Sequence, residues 1–400
     1  MTVRRLILAF TFFLVAAPAC AMDFGYDAYV DFRLIVPGNE RSWLDGGLGK
    51  LRYDASDGRF QFAGGVVQGY GRLTPEVEAV AVVRADQEQK DFILPLESYV
   101  RYRPVSTNPW RWSAKIGAFF PPFSLENTEL GWTSYWTITP SAINSWVGDE
   151  LRTIGGEGTL EWRNGSGTLS LLGSAYGWND PAGVLMADRG WALDDVPTAL
   201  FDEPRRPDAT LILFHAPFPD TTPTFMEIDH RVGWYGGATW DDSDGWRAQV
   251  FRYDNDADPA AHKSDYFAWH TNFWDAGLSK TWREFTFLVQ GLSGTTVIQP
   301  SPTFVSTTNF SAIYALIGWE MDDWRLATRL DEFRTHTDPG SPLSEDGYAV
   351  TSSASWLPKE WLRLSAEILY VDSKRDERFL VGLNPRQVVI QGQLSARVYL

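Results

Sequence analysis

The last thirteen residues, 388–400, constrain the fold more than any other stretch. Val388, Ile390, Gly392, Leu394, Ala396, Val398 and Leu400 fall on one side of an extended chain, and Gln391, Gln393, Ser395 and Arg397 on the other. Side chains of a strand alternate between faces, so this strand is apolar on one face and polar on the other. It exceeds the usual strand of about 5–6 residues and suits a tilted bilayer crossing, which takes roughly 9–11. An apolar sheet face needs a second layer. The pattern recurs along the chain with no helices or second sheet to provide one. Lipid outside and a wet interior satisfy it, which predicts an all-β fold: a transmembrane, antiparallel, up-and-down β-barrel.

The alternation starts at Phe24, Tyr26, Ala28 and Val30. It returns in Trp110, Trp112, Ala114 and Ile116, in Trp324, Leu326 and Leu330, and in Leu362, Leu364, Ala366 and Ile368. Short turns are expected at 163–167, 241–245, 321–323 and 357–360. Long loops are expected near 119–151, 179–229, 254–265, 294–308, 334–347 and 373–387, and a strand over 266–279. Short periplasmic turns alternating with long extracellular loops are a membrane-barrel habit. Two parsings are open before residue 60, at 37–39 and 54–58. About 16 strands are expected, within 14–18. Trp240 and Trp246, Trp319 and Trp324, and Trp356 and Trp361 bracket short turns, as an aromatic girdle would.

The start of the chain reads as a secretory leader over 1–21. Arg4 and Arg5 precede the apolar run 6–17, and Ala19-Cys20-Ala21 forms a small-residue cleavage site. The competing reading, acylation of Cys20, wants Leu near position 17, where the chain has Ala17. The barrel is then one domain, 22–400. Cys20 is the sole cysteine, so disulfides and thiolate metal sites are excluded from that domain. No later segment offers about 18 unbroken apolar residues, so no transmembrane helix is expected. A net charge of −16 argues against a nucleic-acid partner. Nineteen Trp are more than a soluble domain usually carries and suit interfacial girdles.

The lumen face is where selectivity would reside. In the strand register above, Arg101, Arg103, Arg111, Lys115, Arg231, Arg247, Arg325, Arg329, Arg363 and Arg397 point inward. Rings of such residues favour anions; paired with inward acids, they merely fill a wet wall. Residues 119–151 are too apolar and aromatic for a solvated loop. One reading folds them into the barrel as a constriction, with Glu126, Glu129, Asp149 and Glu150 facing the basic wall. The other packs them over the rim or on a neighbouring subunit.

Enzyme signatures are absent. The five histidines have no zinc-type spacing, and no G-x-S-x-G element occurs. Asp254, Asp256 and Asp258 resemble a calcium loop, but Pro259 stands where glycine is expected. No metal and no cofactor are therefore assigned.

The run Ala-Lys-Ile-Gly-Ala-Phe-Phe-Pro-Pro-Phe-Ser-Leu-Glu at 114–126 resembles a strand and following segment of the phosphate-selective porin O/P group. Gly155, Gly156 and the strand ending at Trp162 fall where that group resumes its sheet. The resemblance implies a 16-stranded, trimeric outer-membrane channel. Ser124 stands in place of the group's glycine and Leu400 in place of its terminal aromatic, so no binding residues are carried over. The expected function is a Gram-negative porin passing small hydrophilic solutes, with an anion preference under the first reading of the lumen face, in contact with outer-membrane lipid and lipopolysaccharide. The alternatives are a barrel with an enzymatic or surface-binding role on its rim or loops, and a soluble carbohydrate-binding sandwich.

Overall fold

The computed structural model describes residues 23–214, 219–340 and 342–400. The expected leader and Cys20 lie outside them. Sixteen strands close into one antiparallel barrel. They are β1 Asp23–Val36, β2 Phe60–Arg72, β3 Val77–Ala85, β4 Ile93–Tyr102, β5 Trp110–Phe119, β6 Thr153–Asn164, β7 Gly167–Gly177 and β8 Gly233–Asp242. There follow β9 Trp246–Asp254, β10 His270–Trp282, β11 Phe285–Ser301, β12 Phe304–Met321, β13 Trp324–Asp338, β14 Glu345–Lys359, β15 Leu362–Arg375 and β16 Arg386–Tyr399. Each pairs with its sequence neighbours, and β1 closes on β16 with Asp31 opposite Arg397.

The apolar sides of these strands form the outer surface. Trp324, Leu326, Leu364, Ile368, Ile390 and Leu394 are exposed, while Arg325, Arg363, Gln393 and Arg397 turn inward. An exposed Leu or Ile belt of this extent needs hydrocarbon around it. Trp110 and Trp162 face each other across β5 and β6, and Trp324 stacks on Trp356 across β13 and β14. With Trp246, Trp282 and Trp361 they ring the short-turn end. Trp178, Trp234, Trp274 and Tyr348 ring the other.

Two loop expectations are corrected. Residues 294–308 are mostly strand: β11 and β12 run on to a turn at 302–303. Likewise β13 continues to Asp338. On its outer face Leu330 is followed by Glu332, Arg334 and His336, so the ladder continues beyond the lipid into water, where outward polar groups carry no penalty. Glu332 and Arg334 form an ion pair 2.6 Å apart there. Backbone pairing does not need an apolar face, which is why alternation understates strand length. The strand expected from residue 266 begins at His270 instead; Tyr266–Phe267 pairs with His262–Lys263 in a separate ribbon.

The interior is packed. Every residue over 179–200 is buried, and Thr128 is the one exposed residue over 119–153. Residues 48–54 are buried as well. The barrel thus holds parts of three of its own connections: 48–54 of the first (37–59), the third long one (120–152), and the front half of the fourth (178–232).

Candidate pore and the segments inside it

Residues 120–152 cross the lumen and touch the wall nearly all round. Phe120 N–H donates to Glu97 on β4, and Leu125 N–H to Gln290 on β11. Gln249 on β9 and Gln290 both donate to the Phe123 carbonyl and to Asp275 on β10. Ile138 and Thr139 N–H groups donate to Glu367 on β15, and Ala142 N–H to Asp331 on β13. A loop inside a barrel carries backbone groups that water cannot reach, so the inward polar face of the wall must pair them. That is what these carboxylates and amides do.

The wall has two chemistries. Around β6–β10 it is aromatic: Phe123 sits edge-on to Tyr235 and Phe273, with Phe251 and Tyr253 beside them. Across β13–β16 and β1 it is ionic. Arg329 pairs with Glu126 at 2.5 Å and Asp331 at 2.8 Å, and also donates to the Thr139 and Pro140 carbonyls. Glu129 lies 2.5 Å from Arg363, 3.5 Å from Arg325 and 3.9 Å from Arg397. Arg397 and Arg33 share Asp31.

Inside the segment a helix, α1 (Ala142–Glu150), starts at Ser141, whose hydroxyl caps Asn144 N–H. All its residues are buried, as expected of a helix enclosed on every side. It meets α2 (Val184–Arg189) of the 179–200 stretch. Glu150 accepts from the N–H groups of Gly183, Leu185 and Met186, filling the unsatisfied donors at the start of α2. Gly190, at φ +72°, passes so close to Glu345 that a Cβ would collide with its carboxylate. Asp195 ties the same stretch to Arg33 at 2.5 Å and to Arg52 at 3.3 Å. Burial alone would raise the Asp195 carboxyl, but Arg33 and Arg52 outweigh it and hold it far below the usual range. Burial lowers Lys50 to about 8 despite its contact with Glu345, 2.6 Å away.

Open space remains at the short-turn end. Two adjoining recesses of about 420 and 330 Å³ share Asp27 and Gln68. Glu97, Glu129 and Trp132 line the first; Glu78, Arg72 and Arg101 line the second.

The ten residues expected to line a pore divide. Arg101 borders the second recess, paired with Glu78. Arg111 and Lys115 face inward beside Glu161 and Glu157, and Arg247 beside Asp241. Arg325, Arg363 and Arg397 converge on Glu129. Arg329 is a correction: it is fully buried beneath the inner segment and lines no open space. Arg231 is another. It precedes β8, exposed among loop residues, and pairs with Asp258. Arg103 lies just past β4, in the short turn, beside Glu161. All ten have an acidic neighbour within 4.0 Å. Of the four acids expected to face the wall, Glu126 and Glu129 do so. Asp149 and Glu150 do not: Asp149 pairs with Arg189 and Glu150 caps α2, because the last turn of α1 meets the fourth connection, while Trp146 of the same helix packs on Phe273 and Phe310 of the wall. Sequence reasoning missed Arg52, Arg189, Asp195 and Asp275. The first three lie in connections, where no periodicity assigns a face.

No family model and no curated protein matches the chain. Solved structures do. A loop L8 deletion mutant of OmpT from Vibrio cholerae superposes with TM-score 0.55 at 11% identity, over 95% of this chain and 100% of that one. The outer membrane channel DcaP of Acinetobacter baumannii gives 0.56 at 10%, over 96% and 99%. An anion-selective porin from Comamonas acidovorans gives 0.51 at 9%, over 95% and 100%. The chain has the fold of bacterial outer-membrane porins. The likeness is to that fold in general and does not single out the phosphate-selective group.

Proposed function

We propose that this chain is an outer-membrane diffusion channel for small hydrophilic solutes, working after removal of residues 1–21. The observation that carries the reading is the closed barrel itself, hydrocarbon-facing outside and lined inside with ionised side chains. A wall that had only to hold a sheet together has no use for an ionic interior, since buried ion pairs add little stability over apolar packing. The short-turn end faces the periplasm, and solutes enter or leave there through the recesses at Asp27, Gln68 and Glu129.

We assign no strong anion preference. The inward arginines that suggest one are neutralised by Glu78, Glu126, Glu129, Asp31 and their neighbours. Assembly as a homotrimer belongs to the same reading. The in-vitro folded OmpT of Vibrio cholerae, which shares the fold, is described in a trimer form. Lipid and lipopolysaccharide surround the barrel.

Planar bilayers test the reading. Purified protein should give discrete conductance steps, and cross-linking in detergent should trap three copies. The packed lumen favours a second reading, a sealed barrel that binds partners through its loops. A barrel that inserts but never conducts would establish that one.

A further inference from the structure

The strongest unexplained feature lies where the two buried connections meet. Asp149, at the end of α1, lies 2.5 Å from Arg189, at the end of α2. The other side of the same guanidinium lies 4.0 Å from Asp194. All three side chains are essentially inaccessible. One Asp149 oxygen, one Asp194 oxygen and two Arg189 nitrogens have no hydrogen-bond partner. Trp43 covers the guanidinium, its ring 3.6 Å away.

The neighbouring cations relieve this excess only in part: Arg52 acts on Asp194 and Arg152 on Asp149 through space, and neither bonds to them. Glu150 on α1 is spent on the α2 backbone. Arg152 donates to the Leu151 and Thr198 carbonyls. Asp195 is held by Arg33 and Arg52, and Arg52 also serves Asp86. Lys50 serves Glu345 and the Arg189 carbonyl. Two carboxylates therefore share one cation in a dry place, where like charges cannot both persist.

We propose that Asp149, Arg189 and Asp194 form a proton-operated latch, which holds residues 142–150 against 184–194 when one carboxyl is protonated and lets them part when both ionise. The latch rests on the channel reading above: closed, the two connections fill the lumen; released, they free it. Burial and the neighbouring Asp194 push Asp149 well above the ordinary range, and burial raises Asp194 to about 6. A carboxyl with a raised value in the docked state stabilises docking fully below the ordinary aspartate value, ~3.9. The share of Asp194 is lost between that value and about 6, and that of Asp149, raised well above its ordinary range, at higher pH still, so the last proton leaves and the latch parts above pH 6. The channel thus closes in acid and opens toward neutral and alkaline pH.

The test is single-channel recording of the full chain in planar bilayers from pH 5 to pH 8. Wild-type open probability should rise at least tenfold over that range, since Asp194 alone, with a docked value of about 6, weakens docking about tenfold across it. Asp194→Asn keeps the uncharged form permanently, so it should stay closed and flat with pH. Asp149→Asn should do the same and serves if the first variant does not assemble. A conducting wild type with a flat profile, or an Asp194→Asn variant that keeps the swing, overturns the latch. If nothing conducts at any pH, the channel reading fails, and hydrogen exchange decides the latch separately. The gap in protection of the amides of 142–150 and 184–194 between Asp194→Asn and wild type should widen about tenfold from pH 5 to pH 8. Equal protection at both overturns it.

Discussion

Arg329 and Glu126 form a fully buried ion pair, 2.5 Å from guanidinium to carboxylate, that joins wall strand β13 to the segment inside the barrel. Glu126 also accepts from Ser141 N–H and Asn144 Nδ2, at the start of α1. One carboxylate therefore fixes both the path of the segment and the helix it carries. Glu126→Gln keeps the shape and removes the charge. Breaking a buried pair from one side costs about 3–5 kcal/mol. The heat-modifiable gel shift should move to lower temperature, and conductance should become larger and noisier. An unchanged transition would show that Glu126 is not a tether.

The aromatic wall is the second anchor of the same segment. Phe123 is fully buried among Tyr235, Phe251 and Phe273. Phe123→Ala should cost about 3–5 kcal/mol through lost contact and the void left behind. Phe123 and Glu126 are three residues apart in one segment whose backbone Gln290 holds between them, so the two effects should couple and the double variant should depart from their sum by more than about 0.5 kcal/mol. Thermal midpoints of the two single variants and the double variant check this.

The barrel was legible in the sequence because lipid enforces a strict period of two. Leu364, Ile368, Ile390 and Leu394 cannot face inward without moving every neighbour to the wrong side. Glu126 and Glu129 were legible for a related reason: acids in an aromatic, proline-interrupted stretch need cations nearby. Arg231 was misplaced because the alternation of β8 was carried two residues past its start at Gly233. Asp149 was misassigned because its partner, Arg189, lies in a connection whose fold has no period. Arg329 faces inward as the pattern requires. What no strand pattern encodes is that another part of the chain would cover it.

Glu129 sets the charge balance at the first recess. It is the carboxylate on which Arg325, Arg363 and Arg397 converge. Glu129→Gln leaves three guanidiniums with one fewer acid between them, and the field there turns positive. Reversal potentials in a salt gradient should shift toward anions. Arg101→Ala, which leaves Glu78 unpaired at the second recess, should shift them the other way. A shift of the same sign in both variants would contradict the proposed route.

The outer belt gives a prediction free of any assumption about conduction. Ile368 on β15 is exposed, between Leu364 and Tyr370 on the lipid-facing side. An arginine near the bilayer midplane costs about 2–4 kcal/mol. Ile368→Arg should therefore reduce the yield of heat-modifiable barrel refolded into vesicles, while Ile368→Leu should match wild type. Equal yields would mean that this face never meets hydrocarbon.

Asp195 separates the proposed latch from a general effect of acid. It adjoins Asp194 in sequence, yet Arg33 and Arg52 hold its carboxyl far below the ordinary range. For a lowered value the sign is opposite: its contribution is present above about 3.9 and lost only as pH falls below that. Between pH 5 and 8 Asp195 stays ionised, so its tether to β1 and the first connection is constant. Asp195→Asn should loosen the 179–200 stretch equally at every pH in that window, raising open probability without changing the slope. Asp194→Asn should change the slope. Two neighbouring aspartates with different pH signatures can arise only from their different partners, and matching profiles would remove the distinction.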